Sequence, residues 1–262
     1  MNFSSLMICF IINIIICFGI PIGYLIYLVA AKKGVKPFFI GALVFLISQV
    51  FLRIPIIQYV LPKMDWYSTI QAFYPIIYAI FLGATAGIFE EVGRFLGFKL
   101  ALKKKRNWFD GLSFGMGHGG IEAMLLAGVS NVQSLFILSS LNKGTYDSMK
   151  YGMSVERVKT IYGALTSMSV LLGGIERIFA IAIHVGLTLL ILYGINQRKK
   201  IYLGLAILIH GAIDASVVIF MNLGFSVYIV ELWCGICAVV LLFFAIKIRI
   251  KFKGDVVNER II

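Results

Sequence analysis

Ten ionisable residues on four consecutive apolar stretches of the chain could carry chemistry. They are Glu90, Glu91 and Arg94; His118 and Glu122; Glu176, Arg177 and His184; and His210 and Asp214. All three histidines of the chain are in this set. Ionisable groups in hydrocarbon are costly, so each needs a reason. A lone intramembrane histidine is most often a satisfied packing residue. Three histidines with carboxylates on four consecutive segments are a different case. Imidazole and carboxylate suit zinc and similar divalent metals. They equally suit general-base activation of a water.

Spacing places several of these groups on shared helix faces. Residues four apart are neighbours on a helix, which pairs Glu90 with Arg94, His118 with Glu122, and His210 with Asp214. Arg94 can neutralise one of the two adjacent glutamates. Asp214 can orient His210, as carboxylates often do for imidazole. Arg177 shares the His184 face and is expected to meet Glu122. Glu122, Glu176 and Arg177 read as a structural ion-paired group, because such residues in a membrane usually pair with one another.

The elements that carry these residues follow from composition. The chain has 262 residues, 60% hydrophobic and only 14% charged, with a net charge of +12 and a mean hydropathy of +0.96. That excludes an ordinary soluble domain, which carries about 25% charged residues. It also excludes a disordered chain, and a nucleic-acid binder with its basic residues spread over a water-facing fold. An apolar and basic chain reads as an all-α, polytopic transmembrane bundle in the lipid bilayer, with its cations in short loops.

Seven stretches are long enough to span, at about 20 apolar residues each: 5–30, 37–61, 72–101, 110–139, 173–195, 201–222 and 227–248. The segment 154–172 is amphipathic and is expected to be interfacial or re-entrant, with an eighth span as the alternative. The N-terminal run lacks a basic start and continues to Ala30, so it reads as a span rather than a cleavable signal. One transmembrane domain is expected over 1–262, with a core at 85–220 and a short tail over 249–262.

Fourteen of the 24 Lys and Arg fall after spans one, three, five and seven, against five in the opposite loops. Cytoplasmic loops are the basic ones. The expected orientation in the cell membrane is therefore N-terminus out and C-terminus in. Counting from the basic loops at about 1.5 Å per residue puts Glu91, His118, His184, His210 and Asp214 all roughly 15–21 Å deep. Independent polar accidents would not share a depth. The fourth span also holds Gly111, Gly115, Gly117, Gly119 and Gly120, whose small size lets helix backbones approach closely. The G-M-G-H-G-G run lacks the strand and lysine of a phosphate loop. Cys234 and Cys237 read as buried small hydrophobes.

Known intramembrane protease signatures narrow the chemistry. H-E-x-x-H, G-x-G-D and G-x-S-G are all absent. Glu90-Glu91-Val92-Gly93-Arg94 is similar to the E-E-x-x-x-R motif of the CAAX prenyl endopeptidase and Abi-like intramembrane protease superfamily. Phe114-Gly115-Met116-Gly117-His118 matches its F-x-x-x-H, and His210-Gly211-Ala212-Ile213-Asp214 its H-x-x-x-[N/D]. More closely, E-E-x-G-R, G-H-G-G-x-E and the Glu176-Arg177 run leading to His184 resemble the YhfC-type membrane peptidases. The arginine follows the glutamate pair one residue early, so it is expected to face Glu90 more squarely than Glu91.

The resemblance covers residues 85–220 and implies peptide hydrolysis in the membrane by a glutamate-activated water. Carried over by position, Glu90 or Glu91 is the base, and His118 holds the water or a metal. His210 with Asp214 is a ligand or oxyanion stabiliser. His184 enters through the depth argument alone. Three histidines with Glu91 would satisfy zinc, and a metal-free glutamate–histidine site is chemically possible. The implied substrate is a membrane protein or a lipidated peptide; nothing points to nucleic acid, and the sequence gives no oligomeric state. A proton- or metal-coupled transporter and a non-catalytic scaffold are the alternatives.

Overall fold

The computed structural model describes residues 3–258, with side chains to Phe252. The described residues form helices joined by short loops, as the hydropathy predicts. In chain order these are α1 (Ser4–Ala30), α2 (Val35–Lys63), α3 (Asp65–Phe73), α4 (Pro75–Ala101) and α5 (Trp108–Asn142). They are followed by α6 (Ser148–Tyr151), α7 (Val155–Gly163), α8 (Ser167–Asn196), α9 (Ile201–Asn222) and α10 (Val227–Asn258). Seven of them, α1, α2, α4, α5, α8, α9 and α10, are long and apolar enough to cross a bilayer. Their outer faces carry large exposed apolar side chains, among them Ile15, Ile26, Phe51, Leu208 and Phe243. A continuous apolar exterior of this kind needs lipid around it. The tail begins as the end of α10, and residues 259–262 lie outside the described residues.

Local chemistry sets the helix boundaries. Pro75 opens α4, where its missing N–H costs nothing. Asn107 caps α5: its side chain accepts from Asp110 N at 2.9 Å, and Asp110 returns the bond to Asn107 N at 3.3 Å. Thr166 and Ser169 form the same reciprocal cap on α8. That cap breaks the amphipathic 154–172 segment. Its first part is the nine-residue α7 and its last residues belong to α8, so this segment adds no eighth span.

Helix α8 is the central element. Its apolar stretch is 72% buried, against 22–39% in the other six spans. It packs on α1, α5, α9 and α10. The densest pairings flank it, α4 with α9 and α2 with α5. Small residues make both possible. A Cβ on Gly117 would strike the Phe38 carbonyl of α2, and one on Gly41 would strike the Phe114 carbonyl of α5. Gly83 and Gly87 of α4 lie in the same way against the α9 backbone at Gly211 and Ile207. On its other side α5 sets Gly111, Gly115 and Gly119 against α8. The glycine-rich stretch thus lies between two helices and carries His118 into the space between them.

Candidate metal centre

Helix α4 brings Glu90, Glu91 and Arg94 into the interior, all nearly inaccessible. Buried charges of this kind are tolerated only where partners replace water, and here every one has partners. Glu90 Oε1 accepts from the amide of Gln49 on α2. Glu90 Oε2 lies 2.9 Å from His118 Nε2 on α5, 3.8 Å from His184 Nδ1 on α8 and 4.0 Å from His210 Nε2 on α9. Arg94 binds Glu91 Oε1 through Nη1 and reaches Glu90 Oε2 at 3.4 Å through Nη2. The closer contact is thus to Glu91, contrary to the expected pairing with Glu90. Nη2 is also drawn to His184 Nδ1, at 2.6 Å.

The remaining members sit around this core. His210 Nδ1 is 2.6 Å from Glu91 Oε1 and its Nε2 is 3.6 Å from Asp214 Oδ2. Glu122 Oε2 approaches His184 Nε2 to 2.5 Å, yet it makes no aligned hydrogen bond. Glu122 Oε1 accepts from Arg177 Nη1 at 3.3 Å, and Arg177 also holds Glu176. The ion-paired group read from the sequence is present, with Glu122 turned to the histidines as well. The rings of His118 and His184 are 5.1 Å apart, and those of His184 and His210 5.4 Å. Glu90, Glu122, His184, His210 and Asp214 face a cavity of about 210 Å³.

Four of these side chains offer ligand atoms within 4.8 Å of one another: Glu90, His118, Glu122 and His184. The histidine and glutamate pairs fit a divalent cation of the zinc type. Charge supports the fit. Five carboxylates (Glu90, Glu91, Glu122, Glu176 and Asp214) stand with three guanidiniums (Arg53, Arg94 and Arg177). The carboxylates outnumber the guanidiniums, an excess of negative charge that a bound cation offsets. A guanidinium has no acceptor, so His184 Nδ1 accepts from Arg94 and the neutral ring carries its proton on Nε2. Holding a cation through Nε2 would require the ring proton on Nδ1 and hence a rearranged Arg94 contact.

The expected set of His118, His184, His210 and Glu91 is thus only partly brought together at this point. Glu91 is engaged by Arg94 and His210, and His210 lies against Glu91 and Asp214 outside the four-atom group. Two contributors were not singled out from the sequence. Gln49 holds Glu90, and Arg53 holds Gln49 Oε1 at 3.1 Å, Thr85 Oγ1 at 3.1 Å and the Leu82 carbonyl at 2.7 Å. The available signal was their i,i+4 spacing within an otherwise apolar span. Both fall in a π-helical stretch of α2, Leu46–Arg53, and such widened turns are frequent at functional sites.

Comparison with known proteins gives the chain a family. The family described as YhfC intramembrane metalloprotease matches residues 16–249. The chain is 35% identical over 213 residues to the "Uncharacterized membrane protein YhfC" of Bacillus subtilis (strain 168), covering 79% of this chain and 82% of that protein. No solved structure matches. With a match over most of its length and motifs that meet in one buried cluster, the chain belongs to the YhfC intramembrane metalloprotease family.

Proposed function

We propose that the protein is an intramembrane endopeptidase in which His118, Glu122 and His184 hold a divalent metal, zinc by the chemistry of its donors, and Glu90 is the general base. The convergence of four donor atoms from three helices within 4.8 Å carries this reading. Two histidines and a glutamate are a known ligand set for catalytic zinc and leave a position open for water. When bound, such a metal lowers the pKa of its water and polarises a carbonyl.

The protein's own groups do the rest. Gln49 fixes one oxygen of Glu90 and leaves Oε2 directed at the histidines. Glu90 takes a proton from the attacking water as the hydroxyl adds to the scissile carbonyl. It then gives that proton to the departing amine. His210 is held by Glu91 at Nδ1, with Asp214 near Nε2. A proton on Nε2 lets it donate to the oxyanion. Arg94 keeps Glu91 in place. The substrate class is a membrane protein or a lipidated peptide whose scissile bond reaches the cavity from within the bilayer.

The test is cleavage of a panel of transmembrane and lipidated reporter peptides in proteoliposomes. Wild type is expected to cleave at least one, and Glu90→Gln and His118→Ala to cleave it at least about 10²-fold more slowly. Cleavage retained at the wild-type rate in both variants overturns the reading.

A further inference from the structure

Hydrolysis consumes one water per turnover, and a site in hydrocarbon must receive it. Of the larger cavities outside the site, two open onto apolar helix faces. One lies between α8 and α10 and has Glu231 as its one charged lining residue; the other lies between α2 and α4 and has Ser48 as its polar lining. A third, of about 420 Å³ between α1, α5 and α8, is different. Asn13, Ser130, Asn131, Glu176 and Arg177 line it. Glu176, Arg177 and Leu126 also line the cavity at the metal centre, so the two spaces meet at this group.

The walls of this third cavity are built for polarity. Asn13 is buried and donates to the Val170 carbonyl at 2.6 Å, tying α1 to α8. Asn131 donates to the Ala127 carbonyl at 2.8 Å and Ser130 to the Leu126 carbonyl at 3.2 Å. Those carbonyls belong to a π-helical stretch of α5, Ala123–Gly128. Irregular backbone at membrane depth is tolerated where it is buried in protein or lines a water-filled cavity. Asn13 lies nine residues into α1 and Glu176 nine residues into α8, about 14 Å from the helix starts. The cavity therefore lies toward the end of the bundle where α1 and α8 begin.

We propose that this cavity is the water-entry route to the metal centre and that Arg177 is its gate. The proposal rests on the hydrolytic reading of the site. Arg177 stands where the two spaces meet, its guanidinium held on one side by Glu122 and on the other by Glu176. Rotation of that side chain off Glu122 opens one space to the other without moving a helix. Closed, it keeps the ligand-bearing oxygen pair of Glu122 in position.

Water accessibility is measured apart from proteolysis, so this claim and the hydrolytic reading fail separately. Ser130→Cys, Val217→Cys and Leu232→Cys are compared with the parent chain in native membranes, using a membrane-impermeant cationic methanethiosulfonate. Only a hydrated thiol forms the reactive thiolate, so Ser130→Cys should label at least about tenfold faster than Leu232→Cys in the apolar groove. Val217→Cys, in the metal-centre cavity, should label slowly and accelerate when Arg177→Ala is added, with Arg177→Lys staying slow. Equal rates at Ser130→Cys and Leu232→Cys overturn the route. A Val217→Cys rate indifferent to Arg177→Ala overturns the gate.

Discussion

Glu90 and Glu91 are adjacent in sequence, and their surroundings divide their roles. Glu90 lies among Gln49, His118 and the edge of His184, whereas Glu91 is enclosed by Arg94 and His210. Glu90→Gln removes a base and keeps the shape, so cleavage should fall about 10²–10⁴-fold with thermal stability near that of wild type. Glu91→Leu leaves Arg94 short of its closest carboxylate. Breaking a buried pair costs about 3–5 kcal/mol, so the loss should appear as a lowered melting temperature in detergent. Gln49→Ala should reduce activity about 10–100-fold, the usual range for a residue that orients a ligand or base. The acids and histidines were legible because hydrocarbon makes each of them conspicuous. Gln49 was not, since one uncharged amide in a long apolar run carries little signal and its partner lies 41 positions away. The Arg94 contact differed from the spacing rule because i,i+3 and i,i+4 are both helix neighbours. His184, on another helix, draws Nη2 away.

At the scale of elements, the glycines of α5 set how closely the site can be assembled. A side chain at Gly117 meets the α2 backbone at Phe38 rather than a yielding side chain. Gly117→Leu should therefore force α2 and α5 apart and cost about 1–3 kcal/mol or more. Thermal melting of the purified variant reads this directly, and an unchanged transition would argue against close backbone contact here. The sequence pointed to this stretch and to a tight partner without identifying two partners, α2 and α8. Shared depth put the histidines at one level, and their rings stand 5.1 and 5.4 Å apart in the structure. Depth says nothing about azimuth, however. Glu122 therefore read as part of an ion pair, although it also stands 2.5 Å from His184 where α5 and α8 face each other. The π-helical stretches of α2 and α5 were likewise invisible, because an added residue per turn leaves an apolar pattern almost unchanged.

For the whole molecule, hydropathy alone located the seven spans, their ends moving by a few residues where caps and Pro75 decide the boundary. The distribution of cations predicts the orientation. An alkaline phosphatase fused within 143–153 should be active outside the cell, and one fused in the 103–107 loop inactive; the reverse pattern would invert the topology. The central claim is that a buried Glu and His cluster on three helices holds a divalent metal. Elemental analysis of the purified protein, with His118→Ala, His184→Ala and Glu91→Gln beside it, tests that most directly. Wild type and Glu91→Gln should each carry about one equivalent of metal per chain, and the two histidine variants far less. Metal retained in both histidine variants, or a cleaving wild type that carries none, would contradict the account.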